Sequence, residues 1–304
     1  MSAAPATALI AVDWGTTALR AYRLADDGRV LETRSSGDGI LAVEGAFAAA
    51  LERAVGDWAA DGTAPVLLSG MVGSRQGWHE TPYLPCPCAL EQLASALAAL
   101  RHPQFDVRLV PGLAYRDGAR DDVMRGEEVQ VFGALGPADA GRFLLPGTHS
   151  KWVSVEARRI VAFRTYMTGE LYAACRTHTI LGRLMQDGPW SETAFRRGVA
   201  DGAAEGGPGA LLQRLFGVRT AGLFDRLAAT ELPDYLSGLL IGAELADAAS
   251  GTAEPVTIVG ASALAERYRI AADALSIGCI LADPGAVAGA YLAIARSAGL
   301  LPHS

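Results

Sequence analysis

Short apolar runs along the chain alternate with longer segments in which apolar residues recur every three or four positions. The runs predict buried strands at residues 9–12, 65–68, 107–110 and 256–259. The periodic segments predict helices that bury one face, at residues 44–60, 90–100, 168–185 and 233–249. This alternation of strands and helices predicts an α/β fold. In the last of these helices, the small residues Ser237, Gly238, Gly242 and Ala243 predict close packing against another helix.

The first strand leads into a short polar turn. Asp13 follows the apolar run, then come Gly15, Thr16 and Thr17, and a second strand is predicted over residues 18–24. Backbone N–H groups and threonine hydroxyls in such a turn can hold phosphate oxygens. A carboxylate just before the turn suits hydrated Mg²⁺, which takes one or two carboxylates together with phosphate oxygens. The alternative is a surface hairpin in which Asp13 only accepts hydrogen bonds from the turn.

The same pattern recurs in the second half of the chain. Aligning Gly147 with Gly15 places Thr148 on Thr16, with an apolar run before the turn and a strand after it. Asp13 has no counterpart in this second copy, whereas Lys151 has none in the first. The first turn therefore suits a metal ion and the second a bare phosphate charge. Internal duplication predicts two related domains, each of which offers a phosphate-binding hairpin to a shared cleft.

Charge and apolar run length exclude several classes of partner. The formal net charge is −7 and no run of Lys or Arg occurs, which argues against a nucleic-acid partner. No apolar run reaches the length of a membrane span. The first residues lack the features of a secretory signal, so a cytoplasmic location is expected.

Four motifs give the chain a recognisable family resemblance. They are Ile-Ala-Val-Asp-Trp-Gly-Thr-Thr at residues 10–17, Ser-Gly-Met-Val-Gly-Ser-Arg at 69–75, Met-Arg-Gly-Glu-Glu at 124–128 and Leu-Pro-Gly-Thr-His-Ser-Lys-Trp at 145–152. Together they resemble the 2-dehydro-3-deoxygalactonokinases, which are sugar-acid kinases of the actin–sugar kinase–Hsp70 superfamily. The resemblance implies two duplicated ribonuclease-H-like (actin-like ATPase) domains, expected at residues 1–139 and 140–304, with the nucleotide cleft between them. It implies ATP and Mg²⁺ as cofactors.

The resemblance also implies roles for particular residues. Asp13 would hold Mg²⁺ through water. The outer phosphates would be held by Gly15, Thr16 and Thr17, and phosphate from the other side by Gly147, Thr148 and Lys151. The adenosine would lie beside Gly260, Ala261 and Ser262, since a glycine between a strand and a helix is a common seat for such a ligand.

Phosphoryl transfer needs a group that orients the acceptor hydroxyl and takes its proton. Many sugar kinases of the superfamily carry a base Asp in or near the second turn, where this chain has Thr148-His149-Ser150. Related polyphosphate phosphatases carry a Glu in a Gly-x-Glu-Glu helix start, which Gly126-Glu127-Glu128 resembles. Glu127 or Glu128 is therefore the candidate base and His149 the next, although capping of a helix dipole alone would also explain two acids. Only one of two adjacent helical residues is expected to face the cleft.

A polar and aromatic segment follows the strand at residues 65–68. Ligands of open α/β sheets bind outside the carboxyl ends of strands, where this segment should lie. Arg75 could clamp a carboxylate in a bidentate fashion, and Trp78 and Tyr83 could stack on a sugar acid. The alternative is an ordered surface loop with Trp78 packed inward.

The activity that the resemblance implies is ATP-dependent phosphorylation of the 6-hydroxyl of 2-dehydro-3-deoxy-D-galactonate, in galactonate breakdown. The alternatives are an exopolyphosphatase-like phosphohydrolase, a kinase for another 2-keto-3-deoxy sugar acid, and a nucleotide sensor without turnover. The sequence leaves open the stereochemistry of the sugar acid and whether the protein is a homodimer.

Overall fold

The structure is a computed structural model that describes residues 6–59, 63–206, 209–251, 254–260 and 263–302. Contacts divide the chain into two compact units. The first contains Met1–Gly141, Val153–Phe163 and Asp283–Ser304, and the second contains Arg142–Trp152 and Arg164–Ala282. This division follows contacts within the chain and does not test where one duplicated domain ends and the next begins. The predicted domain boundary at residues 139/140 therefore stays a prediction.

The first unit contains the elements of the N-terminal half and the last helix. Its strands are β1 (Leu9–Trp14), β2 (Leu19–Leu24), β3 (Val30–Ser36), β4 (Val66–Ser69), β5 (Leu84–Pro85), β6 (Cys88–Ala89), β7 (Ala98–Leu100), β8 (Val107–Leu109), β9 (Leu113–Arg116) and β10 (Asp121–Met124). Its helices are α1 (Phe47–Val55), α2 (Leu90–Ser95), α3 (Glu127–Leu135) and, at the end of the chain, α9 (Ala286–Ser297).

The second unit contains the elements between α3 and α9, and three of its strands extend across the division of the chain. The strands are β11 (Gly141–Leu145), β12 (Ser150–Glu156), β13 (Arg159–Tyr166), β14 (Val256–Ile258) and β15 (Cys279–Leu281). The helices are α4 (Thr168–His178), α5 (Glu192–Ala203), α6 (Ala210–Leu223), α7 (Leu232–Ala248) and α8 (Ala263–Ala274).

Strand β1 lies in the middle of the main sheet of the first unit, whose order is β3-β2-β1-β4-β8-β7. It pairs antiparallel with β2 and parallel with β4. Leu9, Ile10, Ala11 and Val12 are fully buried, which explains why β1 reads as an uninterrupted apolar run. A smaller sheet in the same unit has the order β10-β9-β5.

The strand order repeats in the second half of the chain. Strands β13-β12-β11-β14-β15 follow one another in the same relative order as β3-β2-β1-β4-β8. Strand β11 also pairs parallel with β14, as β1 does with β4. The predicted duplicated α/β fold is therefore confirmed.

Helices α5 and α7 of the second unit pack closely through glycines. A Cβ at Gly238 or Gly242 would collide with backbone atoms of Phe195 or Val199 on α5. The close helix packing predicted for this small-residue patch is confirmed. In the described residues, no helix has both the length and the apolar character that a membrane span requires.

Helix α1 is shorter than the predicted segment 44–60, and two further predicted helices are wrong in their extent. Helix α2 ends at Ser95, and Ala98–Leu100 forms strand β7, which pairs antiparallel with β8 and so takes part in the sheet. Helix α4 ends at His178 and a 3₁₀ helix, Ile180–Leu184, follows it, with the Thr179 hydroxyl accepting a hydrogen bond from the Leu181 N–H. In both cases apolar residues three or four positions apart continue beyond the end of the helix, so this spacing did not reveal where the helix ends.

Candidate active site

The first predicted turn is a hairpin between β1 and β2. The Gly15 N–H donates to the Ala18 carbonyl over 2.9 Å, and Asp13 lies opposite Arg20 in the ladder. The next segment supports the turn, because the Ile40 N–H donates to the Gly15 carbonyl over 3.0 Å. Thr16 and Thr17 are exposed at the tip. The hairpin is therefore present as predicted, with both hydroxyls on the surface of the first unit.

Asp13 is partly buried at the end of β1, and helix α3 approaches it with two polar side chains. Gln130 Nε2 donates to Asp13 Oδ2 over 3.2 Å, and Glu127 lies one turn earlier on the same helix. Burial, followed by the nearby negative charge of Glu127, raises the pKa of Asp13 to about 6. Sequence analysis missed Gln130, which is 117 residues from Asp13 along the chain.

Two glycines allow the loops around Asp13 to approach it. Gly70 and Gly126 have φ of +91° and +105°, which a residue with a side chain rarely adopts. A Cβ at Gly70 would lie 2.7 Å from the Trp14 carbonyl oxygen and 3.2 Å from Asp13 Oδ1. A Cβ at Gly126 would lie 3.0 Å from the Cα of Gly70. The motifs at residues 69–75 and 124–128 thus pack directly around the Asp13 carboxylate.

The two candidate glutamates differ in accessibility. Glu128 is fully buried, and both of its carboxylate oxygens accept from the Gly126 N–H, over 2.9 and 2.8 Å. Burial, reinforced by the charge of Glu127, raises the pKa of Glu128 to about 8. Glu127 is only partly buried, and its Oε2 accepts from the Arg125 N–H over 2.9 Å. The accessible carboxylate beside Asp13 is therefore that of Glu127.

The three residues predicted to contact the substrate, Arg75, Trp78 and Tyr83, differ in how far they are exposed and in what they contact. Arg75 is exposed and lies 3.4 Å from Glu80. Trp78 packs against the core of the first unit, where it stacks on Phe47 with ring centroids 6.1 Å apart. Tyr83 is 40% exposed. The inward packing of Trp78 accounts for this residue without a ligand, whereas Arg75 and Tyr83 stay candidates for substrate contact.

Arg125 also lies in this region, although the sequence analysis assigned it no role. Its guanidinium is buried, lies 4.3 Å from the centroid of the Tyr83 ring and donates to the Thr81 carbonyl over 2.8 Å and to the Thr81 hydroxyl. Its place in the motif at residues 124–128 was the available signal. Arg125 therefore ties the start of α3 to the loop that carries Tyr83.

The second predicted turn lies between β11 and β12 in the second unit. Thr148 and His149 are exposed, and the first turn of α4 packs on them. The Glu170 N–H donates to the Thr148 carbonyl over 2.9 Å, and His149 Nε2 is hydrogen-bonded to the Glu170 carboxylate. A Cβ at Gly169 would lie 2.5 Å from the Gly147 carbonyl oxygen. The N-terminus of α4 thus supports the Gly147–Thr148 backbone.

Lys151 follows the turn on β12 but is only 5% exposed. Successive side chains of a strand point to opposite faces, so Lys151 lies on the other face from Ser150 and Trp152. Its predicted contact with phosphate stays a prediction.

A pocket of about 90 Å³ opens beside the second turn. It is lined by Gly147, Thr168, Gly169, Tyr172, Ser237, Leu240, Ile241, Leu264, Arg267 and Tyr268. Arg267 lies 3.4 Å from Asp234 and 4.3 Å from the centroid of the Trp190 ring. Apart from Gly147, none of the predicted site residues lines this pocket, because its other lining residues come from three separate helices, α4, α7 and α8.

Of the predicted adenosine segment, only Gly260 belongs to the described residues, with φ of +149° at the end of β14. Ala261 and Ser262 lie outside the described residues.

The donor set around Asp13 fits a magnesium ion held mainly by water and phosphate. Within the described ranges, no group of three or more His, Cys, Asp or Glu side chains could hold a metal by itself. Mg²⁺ does not require such a group, because it keeps several waters and takes one or two carboxylates plus phosphate oxygens. Asp13 is the carboxylate that could hold such an ion, with Glu127 nearby.

Comparison with known proteins gives one consistent result. The family model described as 2-keto-3-deoxy-galactonokinase matches residues 13–294. A probable 2-dehydro-3-deoxygalactonokinase, DgoK1, of Rhizobium meliloti (strain 1021) is 37% identical over 289 residues, which cover 92% of this chain and 94% of that relative. The 2-dehydro-3-deoxygalactonokinase of Escherichia coli (strain K12) is 37% identical over 283 residues, which cover 92% of each chain.

A crystal structure is also similar over nearly the whole chain. It is described as that of a 2-dehydro-3-deoxygalactonokinase protein from Sinorhizobium meliloti, and it matches with a TM-score of 0.89 and 35% identity. The match covers 97% of this chain and 98% of that one.

Proposed function

Because the chain belongs to the 2-keto-3-deoxy-galactonokinase family, we propose that it transfers the γ-phosphoryl group of ATP to the 6-hydroxyl of 2-dehydro-3-deoxy-D-galactonate. The observation that carries this proposal is the cluster at the first turn. There the partly buried Asp13 carboxylate lies beside the accessible Glu127, next to exposed threonine hydroxyls. ATP as the phosphoryl donor agrees with the cytoplasmic location that the sequence predicts.

Glu127 is the proposed base. An ionised carboxylate accepts the proton of the attacking hydroxyl as the bond to phosphorus forms, and it orients that hydroxyl beforehand. The hydrogen bond from the Arg125 N–H to Glu127 Oε2 holds one carboxylate oxygen in place. Glu128 has the opposite character, because its oxygens are buried against the Gly126 N–H. Its part is to fix the start of α3.

Asp13 is the proposed ligand, through water, of Mg²⁺. When bound, the ion neutralises charge on the ATP phosphates. Gln130 keeps Asp13 in position through its hydrogen bond to Oδ2. The hydroxyls of Thr16 and Thr17 and the N–H groups of their turn are proposed donors to phosphate oxygens.

The second turn and its pocket are proposed to bind the nucleotide. Gly147 lines the pocket at one side, and the apolar and aromatic residues Leu240, Leu264 and Tyr172 offer surface to a base or ribose. The first turn of α4 packs against Gly147 and Thr148, with the Glu170 N–H bonded to the Thr148 carbonyl, and the positive end of a helix dipole favours an anion. Lys151 is proposed to contact phosphate beside the second turn, on the face of β12 opposite to Ser150.

A coupled assay of ADP release tests the proposal. ADP should form when ATP, Mg²⁺ and 2-dehydro-3-deoxy-D-galactonate are all present. Other 2-keto-3-deoxy acids and plain aldonates serve as comparison acceptors, and higher activity on one of them would reassign the substrate. Mass spectrometry of the product should show one added phosphoryl group.

A further inference from the structure

A buried carboxylate, Glu244, joins three elements of the second unit. It lies on α7 and is 3% exposed. Its oxygens accept from Trp152 Nε1 on β12 over 2.8 Å, from the Tyr268 hydroxyl on α8 over 2.6 Å, and from the Thr168 hydroxyl on α4. These partners are an indole and two hydroxyls, so neutral donors satisfy the carboxylate.

Two of the segments that Glu244 joins flank the second turn. Ser150 directly follows His149, and its hydroxyl lies 2.8 Å from that of Tyr268. Thr168 directly precedes Gly169, the residue that packs against the Gly147 carbonyl. Glu244 thus holds the chain on both sides of the Gly147–Thr148 backbone.

Burying an ionisable group in this way is costly unless its hydrogen-bonding capacity is filled. Burial raises the pKa of Glu244, and the hydrogen bonds from Thr168, Tyr268 and Trp152 oppose that rise. A satisfied polar network of this kind fixes one arrangement of the elements it joins. Removing one donor or the acceptor leaves buried polar atoms without partners and loosens that arrangement.

The partners of Glu244 also reach the proposed nucleotide pocket. Thr168 and Tyr268 line it together with Gly147, whereas Glu244 and Trp152 do not. We propose that Glu244 is a positioning residue of the nucleotide site. Through Thr168, Tyr268 and Trp152, it holds the phosphate-binding turn in a fixed position relative to the pocket. This inference rests on the proposed function, because it needs the pocket to bind ATP.

The test uses two variants that do not line the pocket, Glu244→Gln and Trp152→Phe. Gln keeps the size of the side chain but brings an NH₂ group toward donors, and Phe removes the indole N–H. Trp58→Phe is the matched control, because Trp58 is also buried and its Nε1 donates to Glu32 Oε2 over 3.0 Å in the first unit. Each Trp→Phe change removes one indole–carboxylate hydrogen bond.

Binding of a non-hydrolysable ATP analogue, measured by calorimetry well below the unfolding temperature, is the first readout. Glu244→Gln and Trp152→Phe should each weaken it by about 10–100-fold, since small misplacements of binding groups cost this much. Trp58→Phe should bind like the wild type. In steady-state kinetics the two variants should raise the KM for ATP and leave the KM for the sugar acid unchanged.

Analogue affinity in Trp152→Phe equal to that in Trp58→Phe overturns the proposal, even if Glu244→Gln fails to fold. The binding assay contains no sugar acid, so it tests the positioning role of Glu244 independently of the proposed acceptor. A wild type that binds the analogue but transfers nothing to the sugar acid contradicts the proposed acceptor and leaves the Glu244 result interpretable. A wild type that does not bind the analogue overturns both.

Discussion

Gln130 Nε2 donates a hydrogen bond of 3.2 Å to Asp13 Oδ2 and so joins helix α3 to the end of strand β1. Glu127 lies one turn earlier on α3, so the same helix presents an amide and a carboxylate to the region of Asp13. This arrangement links the motif at residues 124–128 to the first turn. The start of α3 places the proposed base and supports the proposed metal ligand.

Replacing Gln130 with Met should move the acidic limb of the pH–rate profile. Asp13 must be ionised to hold Mg²⁺, and its pKa is raised to about 6, so wild-type kcat/KM for ATP should fall as the pH drops below about 6. The hydrogen bond from Gln130 lowers the pKa of Asp13, so its loss should shift the limb to higher pH. If the acidic limb does not move in Gln130→Met, Gln130 does not lower the pKa of Asp13.

Asp13→Asn should abolish turnover while binding of an ATP analogue in the absence of Mg²⁺ is little affected. The amide keeps the shape of the side chain but loses the charge that the ion requires. Steady-state ADP release and calorimetry check the two halves of this expectation. Wild-type turnover in Asp13→Asn would exclude the metal role.

Glu127→Gln and Glu128→Gln should differ sharply in activity. Loss of a general base costs roughly 10²–10⁴-fold in kcat, which is the expectation for Glu127→Gln. Glu128→Gln should keep most of the activity, because its buried oxygens accept from backbone N–H groups at the start of α3, including that of Gly126. Single-turnover rates at saturating substrates measure both. Full activity in Glu127→Gln would reassign the base, with His149 the next residue to replace.

Glu128→Gln should also change how stability depends on pH. The pKa of Glu128 is raised from 4.5 to about 8 in the folded protein, so folding favours the protonated form. Its stabilising contribution is therefore complete below pH 4.5 and is lost as the pH rises through about 8. The urea midpoint of Glu128→Gln relative to wild type should increase between pH 6 and pH 9. A constant difference across this range would contradict the buried state of Glu128.

Gly169→Ala should impair nucleotide binding by displacing the second turn. The new Cβ would lie 2.5 Å from the Gly147 carbonyl oxygen, so that backbone must shift, and overpacking of this kind costs about 1–3 kcal/mol. Gly217→Ala on α6 is the matched control, because a Cβ there meets nothing within 4 Å. The control should gain about 0.5–1 kcal/mol of stability and keep its ATP affinity. Equal ATP affinity in the two variants would show that the packing of α4 on the second turn does not support nucleotide binding.

The sequence was informative where structure depends on neighbours along the chain. The apolar run of β1, the turn at Gly15 and its copy at Gly147 could all be read locally, and the duplication of the α/β fold was predicted from them. Gln130 could not be found in this way, because it is 117 residues from Asp13 and a lone Gln has no distinctive pattern. The choice between Glu127 and Glu128 depends on burial, which adjacent positions in a sequence do not reveal.

The pocket beside the second turn shows the same limit. Tyr172, Leu240, Leu264 and Arg267 lie on helices α4, α7 and α8, which only folding brings together. The end of helix α2 at Ser95 was missed because Leu97 and Leu100 continue its apolar spacing, while pairing of Ala98–Leu100 with β8 takes this segment into the sheet.

The most direct test of the account compares ADP release from ATP and Mg²⁺ with and without 2-dehydro-3-deoxy-D-galactonate. The account predicts that ADP release depends on the sugar acid, forms the 6-phosphorylated product in equal amount, and falls at least 10²-fold in Glu127→Gln. Release of inorganic phosphate at the same rate without the sugar acid would show a phosphohydrolase and contradict it.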